Sequence, residues 1–589
     1  MEKNWIIKEQ GQPFAVKHIM EVLGVEYPVA NLLVQRGITT FEQAKTFFRP
    51  SLSDLHDPFL MKDMEAAVIR LEKAIKNKEK IMIYGDYDVD GTTAVSLFLS
   101  FLKQFTPHLT YYIPDRYTEG YGISFKGIDH AAFQGVTLII SLDCGIKAVK
   151  KVAYAQQKGI DFIICDHHTA GNKLPAAVAV LDPKRPDCNY PYKELSGCGV
   201  GFKLLQAYCQ KNNIDPQNLY EFLDLVAVSI ASDIVPITGE NRILAHYGLK
   251  KLNTNPRSGL KAIISIAGIE GKNICIDDIV FKIGPRINAA GRIDTGKSSV
   301  ELLIAEDEKV ALDKGDLIND FNNTRKNIDA TITREALEMI ASNKELQNRR
   351  TTVVYKPTWH KGVIGIVASR LIESYYRPTI VFTDSNGLIT GSARSVPGFD
   401  LYRAIESCSH LLESFGGHMY AAGLTLRKEN FAAFQKQFEQ VVTENILQEQ
   451  LVPSIEIDME LKLKDISPKF LRILKQFEPF GPENMMPVFF TENVVDNGTG
   501  RPVGSQKEHL KLNLLHEDEP FKPYSAIGFN LAHLYPEIAN GTPFDICYCI
   551  EENEYRGQKS IQLRIKDIKP DKKLITEIKN NMTKLKQNN

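Results

Sequence analysis

Several common signals are missing from this 589-residue chain, and each absence narrows the field. Charge is balanced: 71 Lys and Arg face 72 Asp and Glu, a net −1, so no global basic excess marks a nucleic-acid binder. A polyanionic ligand would have to find a local basic groove. The nine cysteines are odd in number and form no Cys-x-x-Cys pair, which argues against a disulfide framework and for a reduced, cytoplasmic setting. Cys547 and Cys549, two positions apart, share one face of a strand and read as packing residues rather than zinc ligands. No run of about 18 uncharged apolar residues exists, so no membrane span is expected. Met1-Glu2-Lys3-Asn4-Trp5 carries no basic-then-apolar signal pattern. No repeat of solenoid period is evident. What is present is an ordinary soluble composition, 43% hydrophobic and 24% charged, sufficient for several packed cores. The length suggests roughly four domains of about 150 residues each.

The informative feature is a set of acidic and imidazole clusters, each where a strand or helix should end. They are Asp86, Asp88 and Asp90 between Gly85 and Gly91; Asp143 in Asp-Cys-Gly; Asp166-His167-His168; and Asp233 after Ser232. Carboxylate and imidazole together suit a divalent ion such as Mn²⁺. The ligands are too many for one ion and about right for two. Two ions about 3.5–4 Å apart clamp the attacking and leaving oxygens of a phosphoryl transfer. Asp86, Asp88 and Asp90 alternate, so an extended segment would point them to one side. Gly85 and Gly91 permit a tight turn around an ion, and a helix starting near Thr92 would bring N–H groups toward phosphate. The adjacent His167 and His168 point in different directions at a strand end. One can ligate metal while the other faces substrate, and Asp166 can hold an imidazole in one tautomer.

The surrounding pattern is α/β. Short apolar runs at 81–84, 109–113, 138–142, 162–165 and 177–181 alternate with helical stretches such as 92–105 and 146–158, predicting βαβ units and a parallel sheet. In such sheets ligands bind beyond the carboxyl ends of the strands, where Asp86, Asp143 and Asp166 each fall. Segment 220–232 predicts a buried helix ending at Asp233, before Pro236; 241–300 reads as helical with a polar, Gly-containing stretch at 284–296. Leu317, Phe321, Ile328 and Ile332 form a heptad-like stripe within 306–345, either one long connecting helix or two with a break. A second α/β unit follows, with strands at 352–355, 379–382 and 388–392 and helices at 362–374, 400–412 and 428–446. After about residue 451, five short strands with Gly and Pro turns predict a small barrel, the OB-fold being the natural choice.

Several segments resemble, in order along the chain, the DHH phosphoesterase superfamily and in particular its bacterial single-strand-specific 5′→3′ exonuclease branch. They are Tyr84–Gly91, Asp115–Gly122, Asp166–His168, Ala231–Pro236, Gly284–Arg292, His360–Arg370, Gly391–Ser395 and Gly416–Gly423. The match runs from about residue 78 to 570; its one visible departure is Val89, where a small residue such as Ala is expected. The resemblance implies a parallel-sheet DHH catalytic lobe over 76–300, with an N-terminal helical segment 1–75 before it. It also implies a connecting helix 301–348, a second, DHHA1-like α/β lobe 349–450 for substrate binding, an OB-like nucleic-acid-binding barrel 451–570, and a basic tail 571–589.

The roles it implies are these. Asp88 and Asp143 hold one Mn²⁺ or Mg²⁺, with Asp86 close by; Asp90, Asp143, His167 and Asp233 hold the other, Asp143 bridging. His168 contacts the scissile phosphate or protonates the leaving oxygen, with Asp166 beside it as a catalytic residue. Arg394 near Ser392 grips a terminal 5′-phosphate. Arg116, Arg286, Asn288, Arg292, His360, Arg370, Gly417 and His418 line the substrate path, and Tyr117 and Tyr121 can stack on bases. The implied reaction is two-metal hydrolysis of single-stranded DNA, with a helicase and a single-strand-binding protein as partners in repair and recombination. A narrow passage between the lobes would reject duplex. A phosphodiesterase for very short oligonucleotides or cyclic dinucleotides, and a scaffold without metals, are the alternatives. The segment after 451 and the Gly284–Arg292 motif favour a long polymer, and the full ligand set argues against a scaffold.

Overall fold

The computed structural model describes residues 2–539, 541–555 and 557–570, so the tail expected over 571–589 lies outside the described residues. The chain divides into two compact units, Leu52–Val452 and a smaller one in which residues 1–51 join those from Pro453 on.

In the larger unit five strands pair in parallel, in the spatial order Leu109–Tyr112, Ile81–Gly85, Leu138–Leu142, Asp161–Cys165, Ala179–Leu181. Successive side chains leave a strand on opposite faces. Ile81, Ile83, Leu138 and Ile140 therefore enter one core, while Met82, Tyr84, Ile139 and Phe162 enter another. Helices Val89–Leu102, Gly197–Lys211 and Leu223–Ser232 fill the first core. Phe125–Phe133 and Val149–Gln157 cover the second. Burial on both faces explains why these strands read as continuous apolar runs rather than alternating ones. By sequence the strand order is 2-1-3-4-5, the doubly wound arrangement whose switch point lies between the first and third strands. Asp86 and Asp143 leave those two strands.

The connector is one unbroken helix, Glu308–Ala341, capped by the Asp307 carboxylate, so the alternative with a break does not apply. Its buried face includes most of the expected stripe, Ile332 being buried and Phe321 and Ile328 packed against cores, but also takes in polar residues. Leu317 is 47% exposed, whereas Asn322, Arg325 and Asp329 are buried beside Ile318 and Ile332. The polar stretch expected around 284–296 is itself helical over Gly284–Ile293.

The second lobe carries five strands in the order Ser414–His418, Ala421–Leu426, Leu388–Arg394, Thr379–Ser385, Thr352–Tyr355; only the last pair is parallel. The hairpin 414–426 was not expected, because Gly416 and Gly417 mask its strand character. The helix expected over 400–412 is shorter, Leu401–Glu406, followed by a 3₁₀ turn.

The smaller unit is an OB-like barrel. Strands Phe489–Asp496, Phe544–Tyr555, Gln558–Pro570, Glu519–Gly528 and His509–His516 follow one another, and the pairs Val495–Leu515 and Asp496–Leu514 return to the first strand at one end only. Glu519–Gly528 escapes a pattern reading because Pro520 and Pro523 interrupt it. The N-terminal strand Asn4–Ile7 pairs in parallel with Ser454–Ile457, and Val16, Ile19, Leu32 and Leu33 from the first helices enter the barrel core. Among the described residues no helix is long and apolar enough to cross a membrane.

Candidate active site

The first acidic cluster is not extended. The strand ends at Gly85, and Asp88 becomes the N-cap of the Val89–Leu102 helix, its Oδ1 accepting the Gly91 N–H at 3.0 Å. Asp90 then sits in the first helical turn, so a turn rather than a pleat brings these acids together. A side chain at Gly91 would lie 2.5 Å from the Asp86 backbone, which is why glycine is required there. Asp86 is fully buried; one of its oxygens accepts the Gly122 N–H at 3.1 Å. Asp90 accepts from the Gly197 and Cys198 N–H groups at 2.6 and 2.8 Å and from Ser229 Oγ at 2.7 Å.

Asp143 adopts a left-handed backbone, φ 58°, just beyond its strand. Its neighbours come from distant parts of the chain. His167 Nε2 lies 3.2 Å from Asp143 Oδ1, 3.5 Å from Asp233 Oδ2 and 3.9 Å from Asp90 Oδ2. Asp233 caps the carboxyl end of the Leu223–Ser232 helix, its N–H bonded to the Ser229 carbonyl. Potential ligand atoms of Asp90, His167 and Asp233 fall within 4.8 Å of one another, as do those of Asp143, His167 and His168.

This arrangement is electrostatically incomplete by itself. Burial, then the Asp90 and Asp88 charges, push the Asp143 and Asp233 carboxyls well above the usual range, and burial with Asp88 does the same to Asp86. Burial and Asp88 raise Asp90 to about 6. Burial and the His168 charge lower His167 to about 3, leaving it neutral and ready to ligate. Asp86 Oδ2, Asp143 Oδ1 and His167 Nε2 are buried without a hydrogen-bond partner. Buried polar atoms are nearly always satisfied. Orphaned carboxylate and imidazole atoms facing one another fit divalent cations, which would remove both the repulsion and the unmet bonds.

Asp166 and His168 behave differently. Asp166 Oδ1 accepts from the His167 and His168 N–H groups and lies 2.7 Å from His168 Nδ1; Oδ2 accepts the Ile146 N–H. These bonds outweigh burial and hold Asp166 down at about 2. Burial alone would lower His168, but the hydrogen bond and charge of Asp166, with Asp233 and Asp90 nearby, raise it to about 9. Thus burial dominates one of the adjacent imidazoles and Asp166 the other, driving them in opposite directions.

A cavity of about 300 Å³ is lined by Asp88, Asp90 and Asp233 together with Arg116, Asn288 and Arg292. Arg116 lies 4.0 Å over the Tyr87 ring. Arg292 is crowded: burial, then the Arg116, Arg325 and Arg394 charges, lower it to about 10. Its Nη1 donates to the Gly362 carbonyl at 2.9 Å, and Tyr117 donates to the Arg292 carbonyl, so the two lobes meet beside the cavity. Arg394 Nη1 donates to Ser392 Oγ at 3.3 Å and to the Ala393 carbonyl at 2.8 Å. His418 stands on the hairpin edge where burial and the charges of Lys147, His168 and Lys184 lower it; Gly417 before it has φ 151°. His360 Nδ1 accepts the Gly362 N–H at 3.1 Å.

Two expected substrate residues are already engaged. Arg286 donates to Asn319 Oδ1 and the Lys282 carbonyl, and Arg370 pairs with the buried Asp329 at 2.8 Å. Both residues nonetheless contribute positive charge around Arg325. Pattern reading missed Gly197, Cys198 and Ser229, which hold Asp90, and Arg325 on the connector. The Gly-rich run Gly197-Cys198-Gly199-Val200-Gly201 was the visible signal for the first group. Arg325 had none.

Comparisons with known proteins agree with this geometry. Residues 80–230 match the DHH family, N-terminal domain, 348–444 the DHHA1 domain, and 457–567 the RecJ OB domain. The class is therefore that of the DHH proteins with a DHHA1 lobe. The single-stranded-DNA-specific exonuclease RecJ of Bacillus subtilis is 37% identical over 565 residues, 96% of this chain and 70% of that protein. RecJ of Haemophilus influenzae is 35% identical over 540 residues, covering 88% of this chain and 93% of its own. The crystal structure of Thermus thermophilus RecJ in complex with Mn²⁺ superposes with a TM-score of 0.82 at 25% identity, covering 97% of this chain and 80% of that one. The chain belongs to the RecJ family.

Proposed function

We infer that this protein is a metal-dependent 5′→3′ exonuclease that degrades single-stranded DNA to mononucleotides, acting in DNA repair and recombination. One observation carries the reading: His167 Nε2 lies within 3.9 Å of carboxylate oxygens of Asp90, Asp143 and Asp233, and the cavity that Asp90 and Asp233 line is also lined by Arg116 and Arg292. Acceptors for cations and donors for phosphate thus line one cavity.

In this reading Asp90, Asp143, His167 and Asp233 would hold one Mn²⁺ or Mg²⁺, and Asp88 and Asp143, with Asp86 close by, the other. Bound there, the ions supply positive charge toward the phosphoryl oxygens and make water more acidic. The protein's own residues do the rest. Arg116 and Arg292 neutralise charge developing on the phosphoryl oxygens. His168, held by Asp166, gives its Nε2 proton to the leaving 3′ oxygen as the phosphorus–oxygen bond breaks; the attacking water leaves its oxygen and one hydrogen on phosphorus and releases its other proton to solvent. Asp166 holds Nδ1 and stabilises the imidazolium. Arg394 and Ser392 grip the terminal 5′-phosphate, and Arg286, Asn288, His360, Arg370, Gly417 and His418 extend the path.

The OB-like unit offers a second nucleic-acid surface. A helicase that exposes single strands and a single-strand-binding protein are the partners such an activity calls for, and the cytoplasm is its compartment. The test is incubation with Mn²⁺ and a labelled single strand, a duplex or a dinucleotide. Stepwise release of mononucleotides from the long strand, with the duplex intact, supports the reading. Cleavage confined to the dinucleotide, or no cleavage, overturns it.

A further inference from the structure

Tyr121 lies on the loop after the second strand, 49% exposed, between the metal-ligand loop and the acid. Its hydroxyl makes two contacts: it lies 3.1 Å from the backbone carbonyl oxygen of Asp143 and 3.3 Å from His168 Nε2. A phenol has one proton to give. That proton can go to the Asp143 carbonyl or to His168 Nε2, and in either case the hydroxyl links the two. Asp166, at 2.7 Å, accepts at Nδ1. Asp166 and Tyr121 therefore hold the His168 ring at both of its nitrogens. The ring edges reinforce the placement: Tyr121 packs edge-on against His168 at 5.8 Å and against Tyr87 at 6.2 Å, and Tyr87 in turn lies under Arg116. The carbonyl that anchors the hydroxyl belongs to a residue in a left-handed, sparsely populated conformation.

We propose that Tyr121 is a positioning residue of the reaction, whose hydroxyl aims the Nε2 proton of His168 at the leaving oxygen and ties that aim to the backbone of Asp143. The proposal rests on the reading of His168 as the acid. The hydroxyl never leaves Tyr121 and forms no bond to substrate. As the strand enters, the leaving oxygen takes over the Nε2 proton from the phenol oxygen, the phosphorus–oxygen bond breaks, and its electron pair becomes the new O–H bond.

The test compares Tyr121→Phe with His168→Ala and the parent protein on two substrates: single-stranded DNA, and the p-nitrophenyl ester of thymidine 5′-phosphate, whose leaving group departs without a proton. Phe keeps the ring packing and removes only the hydroxyl. Tyr121→Phe is expected to lose about 10–100-fold in kcat on DNA, within the range of general-acid contributions. KM and calorimetric Mn²⁺ affinity should stay near the parent values, and the ester should be hydrolysed at close to the parent rate. Equal losses on both substrates, or weakened Mn²⁺ binding, would assign the hydroxyl to the Asp143 loop instead, and an unchanged rate on DNA would remove its role. If His168→Ala itself fails to discriminate the two substrates, the fault lies in the acid assignment. If the parent cuts no DNA, it lies in the proposed function.

Discussion

A single methyl group at Gly197 is a sharp perturbation of the acidic cluster around His167. Gly197 opens the helix that runs under the site, and its N–H donates to Asp90 Oδ2 at 2.6 Å. An added Cβ would lie 2.5 Å from the Asp143 Cβ and 2.7 Å from its Cα. Neither atom is the end of a flexible side chain, and Asp143 is pinned by its own N–H to the Cys165 carbonyl at 2.9 Å. Gly197→Ala must therefore push the helix start and the Asp143 loop apart. Overpacking of this kind costs about 1–3 kcal/mol, and stretching a charge-assisted bond to Asp90 adds to it, so about 2–4 kcal/mol of stability should be lost. Activity should suffer more. Asp90 and Asp143 both belong to the wall around His167, and a misplacement of about 1 Å can cost roughly 100-fold in rate. The assay is paired: urea unfolding for stability, and Mn²⁺ calorimetry with single-strand digestion for the site. If Gly197→Ala digests DNA within about twofold of the parent, far short of that loss, the close approach of Asp143 to this helix is not what holds the ligands.

Other changes give distinct signatures. Asp143→Ala should abolish cleavage while strand binding, measured by anisotropy, persists; retained turnover would remove its bridging role. Arg116→Ala should weaken strand binding and lower the salt slope of affinity by about one charge, whereas an unchanged slope would leave Arg116 as a partner of Tyr87 only. Mn²⁺ should raise the unfolding temperature of chelated protein, since the crowded carboxyls and orphaned atoms bind only when folded; no shift would refute a preformed site. Asp182 follows the last parallel strand and is buried with Oδ2 unpartnered, and burial raises it from 3.8 to about 7. A raised carboxyl contributes stability that is complete below its unfolded value and is lost as pH rises through its folded one. Asp182→Asn should therefore flatten the fall in stability between about pH 4 and pH 7, measured by urea unfolding; parallel curves would refute it.

The acids were legible because their position is local. Asp86, Asp143 and Asp166 each follow an apolar run, and a parallel sheet puts every such strand end on one rim. The residues that support them were not, because their roles depend on approach in space. Ser229 reads as one more small residue in an apolar helix until Asp90 arrives 2.7 Å away. The connector was legible in part: Phe321, Ile328 and Ile332 of its stripe pack into cores, but Leu317 is exposed and the helix also turns Asn322, Arg325 and Asp329 inward.

That rotation has a physical reason and a consequence. Helix Gly284–Ile293 and helix Ile364–Ser374 flank the connector and bring Arg286, Arg292 and Arg370 toward it. A purely apolar connector face would leave the half-buried Arg286 and Arg292 and the more exposed Arg370 without polar partners there. Asn319 and Asp329 relieve part of it by taking Arg286 and Arg370. Arg325 works in the other direction, adding a further charge near Arg292 and leaving its own Nε without a partner. The connector thus keeps surplus positive charge beside the cavity. A polyanionic strand in the cleft is the ligand that would offset it.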